Sequence, residues 1–183
     1  SAPYAAVPED ALSTPQLEAG LVLSFIRDEN GWTYDSMVTR NDVTGESPAL
    51  LDHFGHAITL QNDLLAVGAP NAEAAGAASD TNNGYVYVFR RDGAGGWQHV
   101  DTLHPTSPAQ HYDCGRFGWS VDSEGSTIIV GQPGATGLDC PEVHPSYHRG
   151  QGRAWAYEPD PLDANDWSTE TMLFVELPPP GSD

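Results

Sequence analysis

Apolar and polar positions alternate in short bursts separated by Gly, Asn, Asp and Pro, and these segments carry no helical periodicity. Two of them match almost column by column. The first runs from Asp52 through Phe54-Gly55 to Leu60, then Leu64 to Gly68-Ala69-Pro70; the second runs from Gly115 through Phe117-Gly118 to Val121, then Thr127 to Gly131-Gln132-Pro133. Each predicts a strand, a tight turn, a second strand and a Gly-x-Pro stop. Third strands follow at Gly84 to Phe89 and Gly152 to Tyr157, and fourth strands at Gly96 to Leu103 and Trp167 to Leu177. The same second half occurs at Gly20 to Ile26 and Gly31 to Tyr34, so the unit appears about two and a half times, with a period of roughly 65 residues.

Four short strands per unit predict an all-β chain of four-stranded antiparallel propeller-type blades. The predicted organisation is an N-terminal arm at 1–19, a half blade of outer strands at 20–49, blades at 50–112 and 113–177, and a C-terminal tail at 178–183. Third strands apolar on both faces, Tyr85 to Phe89 above all, suit blades packed face to face. The glycine of each Phe-Gly pair is expected to let the innermost strand approach its neighbours. Trp32, Trp97 and Trp167 recur at equivalent places and are expected to anchor each fourth strand, while Trp119 is expected to fill a gap between blades.

Phe54-Gly55 with Gly68-Ala69-Pro70 resembles the FG-GAP repeat, the blade unit of integrin α-subunit propellers and many bacterial surface proteins. Phe117-Gly118 with Gly131-Gln132-Pro133 is a second match, departing at Gln132, where Ala is usual. The resemblance spans about 50–177 in full and 20–40 as a half unit. It implies a secreted or cell-surface protein (extracellular, cell surface or periplasmic) that works in adhesion or binding. The family often holds calcium in an Asp-x-Asp-x-Asp-Gly loop between its first and second strands. Here those connections are Gln61 to Asp63 and Asp122 to Ser126, too short to wrap a cation needing six to eight oxygens, so no cofactor is expected, with calcium only a surface contact at Asp122 and Glu124. Closed propellers contain about 4 to 8 blades. Two and a half imply either a longer propeller or association of copies through open blade edges and faces.

Charge narrows the partners. The net charge is -19, every basic residue is Arg, and only Arg90 and Arg91 adjoin, which excludes counterion-releasing nucleic-acid contacts. No apolar run approaches the roughly 20 residues of a membrane span, and any signal peptide is expected to have been removed before Ser1. Cys114 and Cys140 predict a disulfide of an oxidising compartment, worth roughly 3 kcal/mol, the alternative being two independent thiols. Their spacing does not suit zinc.

Catalytic signals are weak. The histidines, including His104, His111, His144 and His148, lack metal-ligand spacing; Ser120 has no nucleophile elbow; carboxylate pairs such as Asp139 with Glu142 and Asp163 with Asp166 are what acid-rich loops produce. The expected recognition surface is the loop from Gly134 to Gly150, with Asp139, Glu142, His144, Tyr147, His148 and Arg149, since binding concentrates in loops on rigid scaffolds. The function expected is non-catalytic protein binding, including binding to copies of itself. The alternatives are a carbohydrate-binding module, which needs a solvent-facing Trp or Tyr beside that loop, and a propeller-type hydrolase or lyase, which needs His and carboxylates converging in one cleft.

Overall fold

The structure, a computed structural model, describes residues 19–43, 51–73, 83–93, 95–106, 115–134 and 152–173. The expected disulfide and the candidate loop residues Asp139 to Arg149 lie outside the described residues. Those described form an all-β arrangement with one short 3-10 turn at Arg40–Asp42. Among them are three antiparallel sheets, none of which closes on itself.

The first is a hairpin of β1 (Val22–Asp28) and β2 (Gly31–Val38). The middle sheet has the order β3 (Ala57–Gln61), β4 (Leu64–Ala69), β5 (Tyr85–Arg91), β6 (Trp97–Leu103). The last sheet repeats that order with β7 (Ser120–Glu124), β8 (Thr127–Gln132), β9 (Arg153–Glu158) and β10 (Thr169–Leu173). Short turns join β3 to β4 and β7 to β8 because Asn62 (φ 55°) and Gly125 (φ 62°) take the left-handed backbone a two-residue hairpin needs. The hairpin and the middle sheet share an irregularity. Ser24 pairs with Ser36 but Phe25 with Tyr34, and Val88 pairs with Asp101 but Phe89 with His99, so each last strand carries one extra residue, Asp35 or Val100.

Burial shows how the sheets stack. Every residue of β4 and Tyr85 to Phe89 of β5 are buried, so the middle sheet is covered on both faces. One face presents Leu65, Val67, Tyr87 and Phe89 to Val22 and Val38 of the hairpin; the other presents Leu64, Ala66, Val86 and Val88 to Phe117, Ile128, Trp155 and Tyr157 of the last sheet. In β8 buried and half-buried residues alternate, so among the described residues the last sheet is covered on one face only.

Gly55 and Gly118 permit the close approach expected of them, since a Cβ would come within 2.9 Å of the Leu21 carbonyl oxygen at Gly55 and within 2.6 Å of the Tyr85 carbonyl oxygen at Gly118, but the Phe54-Gly55 and Phe117-Gly118 pairs do not lie in the innermost strands. They form turns just before β3 and β7. His53 (φ 56°) and Arg116 (φ 55°) share the same left-handed backbone at equivalent positions, so the turn is imposed by its setting and not by one residue type. Each phenylalanine is fully buried. Its amide donates to the sheet before it: Phe54 N to the Ala19 carbonyl and Phe117 N to the Asn83 carbonyl, both 2.9 Å. At Gly20 and Gly84, the next residues, a Cβ would overlap the backbone of Phe54 or Phe117, so the close approach demands glycine.

A buried ion pair ties the hairpin to this joint. Thr39 caps the 3-10 turn, accepting from Asn41 N while its own amide and hydroxyl donate to Asp42. The turn aims Arg40 inward, where its guanidinium donates to the Asp52 carboxylate and, at 3.0 Å, to the Glu73 carbonyl. It also lies 5.7 Å over the Tyr87 ring. Arg40 is 4% exposed and Asp52 1%.

Candidate functional site

The surface that stands out is the outer face of the hairpin. Cross-strand partners share a face, and the pairs Leu23–Met37, Phe25–Tyr34 and Arg27–Trp32 all point away from the middle sheet. Five of these six side chains are large and apolar, yet Phe25 is 51% exposed, Tyr34 57% and Trp32 70%. The rings of Phe25 and Tyr34 meet edge to face at 6.0 Å, and the Arg27 guanidinium lies 5.8 Å over Trp32. Preformed contacts of this kind hold an aromatic surface in one shape.

The middle sheet shows what such a face does when it is covered. Arg91 and Trp97 pair across β5 and β6 as Arg27 and Trp32 do across β1 and β2, with Arg91 again over the indole at 5.3 Å. There the face rests on the hairpin's inner side: Trp97 Nε1 donates to Ser24 Oγ at 3.4 Å, and Arg91 donates to both carboxylate oxygens of Asp35 at 2.8 and 2.7 Å. Asp35 is the extra residue of the irregularity, turned by it toward Arg91.

The Trp32 expectation therefore needs correction. Trp97 packs against the core and Trp167 is buried, but Trp32 is open, and among the described residues no sheet lies on its side. Trp119 reaches between the middle and last sheets to lie tilted against His56, ring centroids 4.5 Å apart, with Arg116 5.5 Å over its ring, yet remains 41% exposed. Burial, with His53 and then Arg116 close by, lowers the pKa of His56 from its usual value.

Hydrogen bonds from Arg91 and then Ser24 hold the Asp35 carboxyl below its usual 3.8, at about 2. Because the folded value is depressed, the stabilisation is whole above pH 3.8 and lost as pH falls through about 2. A carboxyl titration by NMR should place Asp35 near 2, and Arg91→Met should move it back toward 3.8. An ordinary midpoint in the unaltered protein would mean that this ion pair does not form.

The last sheet offers a second open face. Beneath it Phe117, Val121, Val130, Trp155 and Tyr157 face the middle sheet, and Ser123 bonds Thr59 at 2.8 Å. Cross-strand pairing then puts Asp122, Ile129, Ala156 and Thr171 on the opposite side, with Glu124, Gly131, Ala154 and Leu173 beside them. Gly152 occupies the position of Gly20 and Gly84, but its nearest neighbours are Gln132 and Pro133 at 3.5 Å, so no described phenylalanine closes a third joint.

A cleft of about 140 Å³ opens between the end of β6 and the last sheet, with Asp101, His104, Tyr157, Asp166 and Trp167 in its wall. It brings a histidine and carboxylates together, but Asp101 is occupied as an acceptor from Thr102 N and Trp167 N, both at 2.7 Å. Burial and the neighbouring Glu170 carboxylate push the Tyr157 hydroxyl well above its usual range. Ligand pockets for small molecules run from about 300 Å³ upward. Among the described residues no three His, Cys, Asp or Glu side chains converge as metal ligands, and no helix is long and apolar enough to cross a membrane.

Residues 43–89 match the family model described as FG-GAP repeat, from the capped turn through the first phenylalanine joint to the end of the buried third strand. That stretch is an FG-GAP repeat. No curated protein matches the chain.

Proposed function

We propose that this chain, carrying an FG-GAP repeat at residues 43–89, is a segment of β-propeller blades that works outside the cytoplasm as a non-catalytic protein-binding module. The hairpin is the outer half of one blade, and the middle and last sheets are complete blades. The observation that carries the reading is the outer hairpin face, where Leu23, Phe25, Trp32, Tyr34 and Met37 stand exposed together. A contiguous apolar patch rimmed by polar residues marks an interaction surface, and aromatic residues with one arginine are what binding hot spots are made of.

The charge pattern supports a protein ligand over a polyanion. Five of the six arginines among the described residues lie over aromatic rings at 5.3 to 5.8 Å, so these guanidinium groups serve packing instead of forming a phosphate-binding patch. The small size of the cleft beside Tyr157 and the engaged Asp101 weigh against catalysis there.

Photocrosslinking in the producing cells tests the reading. A benzophenone side chain at position 25 should give discrete protein adducts, whereas one at Leu162, 97% exposed but away from the face, should give none. Equal yields at both positions, or none at 25, would refute it. A second reading, carbohydrate binding, is favoured by one observation: half-exposed Trp119 lies near Gly115, whose carbonyl accepts from Gly134 N at 3.3 Å. It requires glycan-array signals that disappear in Trp119→Ala.

A further inference from the structure

We propose that the outer hairpin face of one copy docks on the open face of the last sheet of a second copy, head to tail, in the sense in which the middle sheet already docks on the hairpin within one chain. The inference rests on reading these faces as protein-binding surfaces, and adds which partner and which faces meet.

The internal repeat supplies the template. Within the chain, a bulky face always meets a face of small and branched residues: Tyr87 and Phe89 meet Val22 and Val38, and Trp155 and Tyr157 meet Ala66, Val86 and Val88. The two open faces are one of each kind. Leu23, Phe25 and Trp32 occupy the positions of Tyr87, Phe89 and Trp97, while Ile129, Ala154, Ala156 and Leu173 occupy those of Ala66, Val86, Val88 and Leu103. Neither open face complements itself, because bulky on bulky would leave gaps and small on small would leave little contact. Two copies therefore meet through unlike faces.

Charge points the same way. The six side chains of the hairpin face include one charged group, Arg27. The last sheet's open face carries exposed Asp122, Glu124 and Glu158, with no basic side chain among the pairs that build it. Arg27 stands where Arg91 stands in the middle sheet, and Arg91 binds a carboxylate of the sheet it docks on, Asp35. A head-to-tail contact between unlike patches closes into a ring or extends as a filament, and either is ended by blocking one face.

Two singly blocked variants of the full chain test this by light scattering across a dilution series. Phe25→Asp disables the hairpin face and leaves the last sheet intact; Ala156→Arg does the reverse. The unaltered protein should associate with rising concentration, and less so in high salt. Each variant alone should self-associate at least 100-fold more weakly, and their equimolar mixture should form a complex of twice the chain mass that grows no further. Trp32→Asp, at a 70% exposed position, replaces Phe25→Asp if that variant misfolds. A protein monomeric at every concentration would overturn the docking while leaving binding to other proteins open to the crosslinking test. Two variants that still associate alone, or fail to combine when mixed, would overturn the head-to-tail arrangement.

Discussion

Asp52→Ala should lower the free energy of unfolding by about 3–5 kcal/mol, the cost of leaving a buried charge without its counter-charge. The Arg40 guanidinium would lose its carboxylate in a setting only 4% exposed, and the Glu73 carbonyl cannot supply the missing negative charge. The effect should spread beyond the pair, since Asp52 sits two residues before Phe54, and Asn71 N donates to the Asp52 carbonyl at 3.4 Å in closing the same corner. Arg40→Met should cost a similar amount by stranding Asp52. The double variant Arg40→Met/Asp52→Leu should recover much of the loss, because two apolar side chains need no mutual neutralisation. Urea unfolding of the three variants checks this. A loss under about 1 kcal/mol in either single variant would place the pair in solvent.

Gly68→Ala should cost about 1–3 kcal/mol, although alanine ordinarily improves on glycine within a strand. The added Cβ would overlap the Gly118 carbonyl, and backbone cannot rotate aside. Gly131 is its equivalent in the last sheet and faces the open side. There the added Cβ would meet the Ser120 hydroxyl, which is free to turn away, so Gly131→Ala should be neutral or slightly stabilising. The same substitution at two columns of one repeat thus separates a covered face from an open one. Thermal unfolding of both variants measures the contrast, and equal losses would mean that both faces are covered.

Much of this architecture was legible in the residues. The paired Phe-Gly and Gly-x-Pro columns located the units, and both predicted four-strand successions formed, because period-2 burial and glycine-marked turns are local properties of the chain. What depends on a neighbour was not legible. Trp32, Trp97 and Trp167 are interchangeable as sequence, and only the presence of a sheet alongside decides which is buried. The Arg40–Asp52 pair joins polar residues on either side of a unit boundary, where no period exists to mark them. The hairpin face does leave a signal in the sequence: a half unit keeping Leu23, Phe25, Tyr34 and Met37 on one side has bulky residues with no inner strands of its own unit to hide them. The loop residues expected to carry recognition lie outside the described residues, and the exposed aromatic surface is on the hairpin.

Hydroxyl-radical footprinting tests the protein-binding role of the hairpin face most directly, comparing the dilute purified chain with the protein in its native extract. Phe25, Trp32, Tyr34 and Met37 should be oxidised readily in the dilute chain and protected in the extract, with buried Trp155 and Trp167 unlabelled in both. Labelling of the hairpin face that stays equally strong in the two samples would contradict a role for it in binding protein.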